Sequence, residues 1–429
     1  MKLKTAMKEN LLQFIWKLKL FSSKKMRITK GKSIEIISVG TENLNSGPDF
    51  LNAKIRINNQ LWAGNVEIHI NSSDWYVHNH EIDERYDAVI LHVVWEHDIE
   101  IFRKANLEIP TLELKNYISK NVLYKHSQLF SKAKKWIYCE NDVTAVDSFI
   151  VNHWLDRLYF DRLEQKAIQI KQLLAKTNNN WEATLFVLLA KSFGLKINAD
   201  AFINFANSFD FSLVRKVSSN KEQLEALFFG QAGLLSNNHE SEHFRKLRQE
   251  YDYLKLKFKL TPISTGQVQF FRLRPNNFPT IRLSQLASLY NLHQSLFSKI
   301  IELNTIEEFY ELFSVSTSIF WETHYTFNKT SKRSIKKITK PFVDLLLINT
   351  IIPLKFMYLK SMGKDDFSSV IKIIEQIKPE KNTIISKFKE LKINSSNALQ
   401  TQSLLQLKNE YCNKQRCLQC SIGKELLKN

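Results

Sequence analysis

The chain has 429 residues, 44% of them apolar, with only 10 Gly and 8 Pro; this is enough for two or three domains with real cores and too few turn residues for a large all-β architecture. Lys and Arg number 61 against 43 Asp and Glu, a formal charge of +18. The excess suits a polyanion, most simply nucleic acid, although an AT-rich genome also enriches a chain in Lys.

Residues 6–21 carry Leu11, Leu12, Phe14, Ile15, Leu18 and Phe21 at helical spacing and predict a first helix. Period two follows: Ile34, Ile36 and Ile37 predict a strand, residues 50–57 a second, Asn58-Asn59 a turn and residues 61–70 a third. Residues 72–86 are polar and mixed, a helix or a structured loop. Residues 88–95 (AVILHVVW) are an almost unbroken apolar run, the pattern of a strand buried on both faces, and 109–114 adds another. From about residue 145 the period becomes helical, over 149–174, 181–193, 222–235 and 241–256, with a weaker stretch at 201–209. Pro, Gly and Asn interrupt it at 261–284, read as a loop; helices resume at 283–313, 340–360, 366–378 and 398–410. The basic stretch 328–340 reads as an exposed loop. The fold class expected is α+β, with an α/β domain at 1–140 and helical domains at 141–260 and 261–429.

Residues 1–30 are charged throughout and do not read as a secretory leader. Residues 343–358, the most apolar candidate span, hold Asp344, Asn349, Pro353 and Lys355 and read as too short and too polar to cross a bilayer. A cytoplasmic protein with reduced thiols and no membrane partner is expected.

Three residues carry the chemistry. Glu67 and His69 lie two apart on the third strand and therefore share a face. A hairpin around Asn58-Asn59 returns Asp49, after Pro48, close to Glu67. Paired carboxylates on adjacent strands make an oxygen-rich pocket for Mg²⁺ or Mn²⁺, which lowers the pKa of bound water and neutralises a scissile phosphate. Pro-Asp, a spacer and Glu-x-His on the next strand resemble the PD-(D/E)XK nuclease pattern over residues 6–95. That resemblance implies a restriction-endonuclease-like α/β domain. His69 stands where the pattern has Lys. Lys54 is a candidate for the missing cation and Glu9, in the first helix, for a third carboxylate. The alternative is that Asp49 caps a turn and Glu67 sits on a solvated strand face.

Other groupings compete for roles. His69, His78, His80 and His92, with Asp74 and Asp83, form a histidine-rich set able to bind a transition metal, unless these residues make only local hydrogen bonds; His80 and Asp83 could instead line the carboxylate pocket from the connecting segment. Cys412, Cys417 and Cys420 crowd nine residues; Cys139, far upstream, completes a four-thiolate set for Zn²⁺ or a [4Fe–4S] cluster, unless these are reduced thiols in a buried turn. Arg272, Arg274 and Arg282 among Phe270, Phe271 and Phe278 offer phosphate and base contacts, or else an inter-helix loop with core Phe.

The strings GPDFLNAKI (47–55), LWAGNVEIHINSSDW (61–75), RLRPNNFPTIRLSQLA (272–287) and LKNEYCNKQRCLQCSIG (407–423) resemble a bacterial family of unknown function, of the Bacteroidetes type. The residues support three readings: a metal-dependent nuclease acting on DNA or RNA, a non-catalytic nucleic-acid-binding protein on a nuclease-like scaffold, and a helical interaction protein with a structural metal knot. On the last, removing 405–429 is expected to unfold the helical region and spare 1–140.

Overall fold

A computed structural model describes residues 7–43, 46–104, 106–129, 135–236 and 239–428. It divides the chain into two compact units, Met1–Trp154 with Leu407–Asn429, and Leu155–Gln406. The boundary expected near residue 260 falls inside the second unit, and the last residues belong to the first.

The first unit holds a mixed sheet. Helix α1 (Glu9–Lys17) is shorter than the predicted 6–21, whose residue 6 lies outside the described residues. It buries Leu11, Leu12, Phe14, Ile15 and Trp16. The strands are β1 (Ile34–Ser38), β2 (Thr41–Glu42), β3 (Phe50–Ile57), β4 (Gln60–Asn71), β5 (Val89–Glu96) and β6 (Thr111–Glu113), in the order β1-β3-β4-β5-β6 with β2 alongside β3. β1, β3 and β4 are antiparallel, and β5 and β6 join parallel to β4.

Two irregularities set the register. Asn58 takes φ 45° in the turn between β3 and β4, a conformation Asn tolerates better than other side chains. Phe50 faces Val66 but Ala53 faces Gly64, so β3 carries one extra residue and bulges. Asn52 sits in that bulge at φ 57°. The ladder then places Asp49 beside Glu67.

Alternation along β4 separates two cores. Val66 and Ile68, with Leu91 and Val93 of β5, join the core that contains α1. Glu67, His69 and His92 carry the opposite parity. Residues 72–87 connect β4 to β5 through helix α2 (Asp74–Val77) and a 3-10 turn (Glu84–Tyr86). They bring in a small second core of Trp75, Tyr86, Val89, Ile101 and Ile109. The C-terminal helix Ser421–Lys428 packs against α3 (Lys120–Leu129) and buries Leu427 in the α1 core.

The second unit is helical apart from a two-stranded hairpin, His324–Thr326 with Lys329–Thr330. Helix Pro279–Leu292 is its centre, buried from Pro279 through Tyr290. The predicted loop to residue 284 ends early, because Pro279 starts this helix at a position where a missing N–H costs nothing. The predicted 283–313 helix is three, with a capping box of Thr305 and Glu308 opening the last. Within the stretch read as an exposed basic loop, Lys336 is buried and donates to the carbonyls of Trp321 and Glu322. Lys340–Ser361 forms 22 continuous helical residues, long and apolar enough to cross a membrane, which corrects the expectation that this stretch is too short. The helix instead has 72% of its most apolar window buried inside the protein.

Candidate metal centre

Asp49 and Glu67 clasp each other across β3 and β4. The Asp49 N–H donates to Glu67 Oε2 at 3.0 Å, and Asp49 Oδ2 accepts from the Ile68 N–H at 3.1 Å. These two bonds fix both carboxyl groups. Glu67 is 5% exposed and His69 1%.

Four imidazoles gather beside this pair. His69 Nε2 lies 3.5 Å and His80 Nε2 3.4 Å from Glu67 Oε1. His78 Nδ1 is 3.0 Å from His69 Nε2. His69, His78 and His80 each offer one nitrogen, and these three atoms all lie within 4.8 Å of one another. His92 Nε2 meets the other nitrogen of His69 at 2.9 Å, where a metal-bound imidazole carries its orienting hydrogen bond. Tyr86 stacks on His80 at 3.8 Å, and Trp75 meets His80 and His92 edge-on at 5.3 and 5.7 Å. The α2 segment supplies His78, and the turn behind it supplies His80.

The electrostatics suit a cation. Burial, and then the charge of Glu67, raise Asp49 to about 7; burial raises Glu67 itself to about 8. Burial, then His80 and His78, push His69 down to about 3, and burial also lowers His80 and His92. Burial disfavours ionised carboxyls at Asp49 and Glu67, while His78 opens to solvent at the rim; a bound ion would supply the counter-charge that keeps the carboxylates ionised.

Of the five residues expected to do chemistry, four converge. Glu9 reaches the site from α1, its carboxyl raised by burial and within the field of His78, Asp74 and His80; its Oε1 accepts from Gln13, whose side chain also reaches Asp49. Lys54 does not converge. It is exposed and pairs with Ala63, four positions before Glu67 and therefore about 13 Å along the strand, so it supplies no cation here. Trp75 and Tyr86, which orient the imidazoles, were not singled out by sequence; their only signal was two aromatics amid a polar segment.

The remaining candidates lie elsewhere. The four cysteines all belong to the first unit and form no disulfide. Burial raises each thiol. Cys420 and Cys417 further raise Cys139, while Cys420, Cys139 and Cys417 raise Cys412. In the second unit Arg272 and Arg274 are exposed, with Arg272 over the ring of Phe271 at 5.2 Å. Arg282 is not a surface contact. It is 6% exposed, stacks over Phe342 at 3.5 Å, and donates to Gln285 and Asn277 at 2.8 and 2.6 Å. Its guanidinium is spent inside the core.

Comparison with known proteins adds the family. A family model for proteins of unknown function, DUF2851, matches residues 9–383. The chain belongs to the DUF2851 family. The match takes in Glu9, Asp49, Glu67, all four imidazoles and Cys139, and ends before Cys412. No curated protein and no solved structure matches the chain.

Proposed function

We propose that residues 9–98 carry a metal-dependent phosphodiesterase centre acting on nucleic acid. The observation that carries this reading is the convergence of Glu67 Oε1 with His69 and His80 at 3.5 and 3.4 Å, with Asp49 clasped alongside. The order of elements supports it: a helix bearing Glu9, the antiparallel strands β1, β3 and β4 with the two-residue β2 beside β3, then the parallel strand β5, is close to the arrangement expected of a nuclease-like scaffold. Glu67, His69, His78 and His80 would hold the ion, and Asp49 and Glu9 would hold water or further metal positions. Imidazole-rich ligation favours Mn²⁺, Zn²⁺ or Fe²⁺ over Mg²⁺, which prefers oxygen and keeps its waters. Such an ion supplies a nucleophilic hydroxide and neutralises phosphate charge. The net charge of +18 fits a polyanionic substrate, and four free thiols fit a reducing, cytoplasmic setting.

The test is incubation of labelled DNA and RNA with the purified chain and each of Mg²⁺, Mn²⁺ and Zn²⁺. Glu67→Gln and His80→Ala, checked for intact folding by circular dichroism, are expected to lose at least about 100-fold in rate, the scale of a lost metal-site ligand or its support. Cleavage undiminished in both variants would sink the assignment.

One observation favours a second reading, a nucleic-acid-binding protein without catalysis. His69 occupies the Lys position of the nuclease pattern, is buried, and has both ring nitrogens engaged by His92 and His78. This reading expects salt-sensitive binding and no cleavage with any of the three ions.

A further inference from the structure

We propose that Cys139, Cys412, Cys417 and Cys420 form a four-thiolate metal centre that fastens residues 407–429 into the first unit. The proposal is independent of the histidine–carboxylate site. These are the only cysteines in the chain, and residues far apart in sequence come together in one unit. Cys139 and Cys417 both pack against the α1 core, and Cys420 is buried.

The backbone is shaped around them. The Cys420 N–H donates to the Cys417 carbonyl at 3.2 Å, closing a tight Cys-x2-Cys turn. Gly423 lets that carbonyl approach; a Cβ at this position would stand 2.3 Å from the Cys417 oxygen. Gln415, at φ 56°, turns the chain between Cys412 and Cys417, with its N–H on the Cys412 carbonyl at 3.2 Å. On the other strand of the arrangement, the N–H groups of Asp142 and Val143 both go to the Cys139 carbonyl. Lys408 stitches the two segments, donating to the Trp136 carbonyl at 3.1 Å.

A second observation points to a thiolate. The Trp154 Nε1–H is buried with no hydrogen-bond partner and lies close enough to the Cys420 thiol to favour its charged form. The N–H groups of Ile422 and Gly423 point to the same atom. A neutral thiol is a weak acceptor, and donors gathered around one are poorly used. A metal-bound thiolate accepts them, and such donors are what tune metal–sulfur centres.

Zinc and an iron–sulfur cluster share this ligand chemistry. The full chain, purified anaerobically, is to be analysed for zinc, iron and acid-labile sulfide, with its visible spectrum. One bound zinc in colourless protein, or iron with sulfide in brown protein, supports the centre and names its metal. The double variant Cys417→Ser, Cys420→Ser is expected to lose that metal, while Glu67→Gln is expected to keep it. Absence of bound metal in the wild type, or equal metal in the double variant, overturns the proposal. Where the double variant does not fold, a mercurial titration of the wild type decides: metal leaving in step with thiol modification supports the centre, and metal retained after all four thiols react overturns it.

Discussion

At the scale of single residues, the candidate site depends on side chains that touch no metal. His92 holds the far nitrogen of His69 at 2.9 Å and is itself fully buried. His92→Ala is expected to weaken binding of Mn²⁺ or Zn²⁺ by about 10–100-fold, the usual loss when such a partner is removed. Calorimetric titration reads it, and unchanged affinity would show that His69 needs no orienting group. The three Arg residues divide in a parallel way. Arg282→Ala leaves a cavity over Phe342 and orphans Gln285, so it is expected to cost about 2–4 kcal/mol in denaturant unfolding. Replacing exposed Arg272 and Arg274 with Ala is expected to leave stability unchanged and lower the salt dependence of nucleic-acid binding by about one unit each. Sequence could not separate these cases, because Arg among Phe reads the same whether the ring is a core residue or a platform for bases. It could place Glu67 and His69 on one face, because strand periodicity leaves no choice. It offered His80 as lining the pocket but did not bring His78 there, because that depends on how residues 72–87 fold back, a tertiary matter.

At the scale of elements, alternation and periodicity found every long strand and the longest helices, missed the short helices Lys120–Leu129, Ser212–Val217, Thr383–Glu390 and Ser421–Lys428, and misplaced ends that one residue decides. Pro279 moved a helix start, and Thr305 with Glu308 opened a new one inside a predicted helix. The bulge in β3 was invisible to pattern, although it fixes the register that sets Asp49 against Glu67. Close approach gives a clean test. Gly230 lies inside helix Lys221–Gln231, where Gly→Ala normally stabilises by about 1 kcal/mol. A Cβ there would sit 2.1 Å from the Tyr251 ring, so Gly230→Ala is expected to destabilise instead, by about 1–3 kcal/mol. A raised Tm in calorimetry would contradict this contact.

At the scale of the whole molecule, the largest departure from sequence expectation is the ownership of the last residues. Sequence places them in a helical domain at 261–429, and the reading as a helical interaction protein with a metal knot expects their removal to unfold it. They belong instead to the first unit, where Leu427 fills the core around α1. Truncation after Gln406 is therefore expected to destabilise the sheet unit and spare the helical one, the reverse outcome. Limited proteolysis checks it: early cleavage within residues 7–154 with 155–406 surviving is expected, and loss of the helical fragment first would refute the division.

That division bears on biosynthesis. Ribosomes build chains from the N-terminal side, at about 5–20 residues per second, and domains generally fold as they emerge. Residues 7–154 must wait through the synthesis of the entire helical unit before the segment beginning at Leu407 appears to finish their fold. A chain stopped just after Gln406 has the whole helical unit and lacks the segment whose Leu427 fills the α1 core. Assembly of the histidine–carboxylate pocket on a complete scaffold is thereby tied to a segment made only after the helical unit.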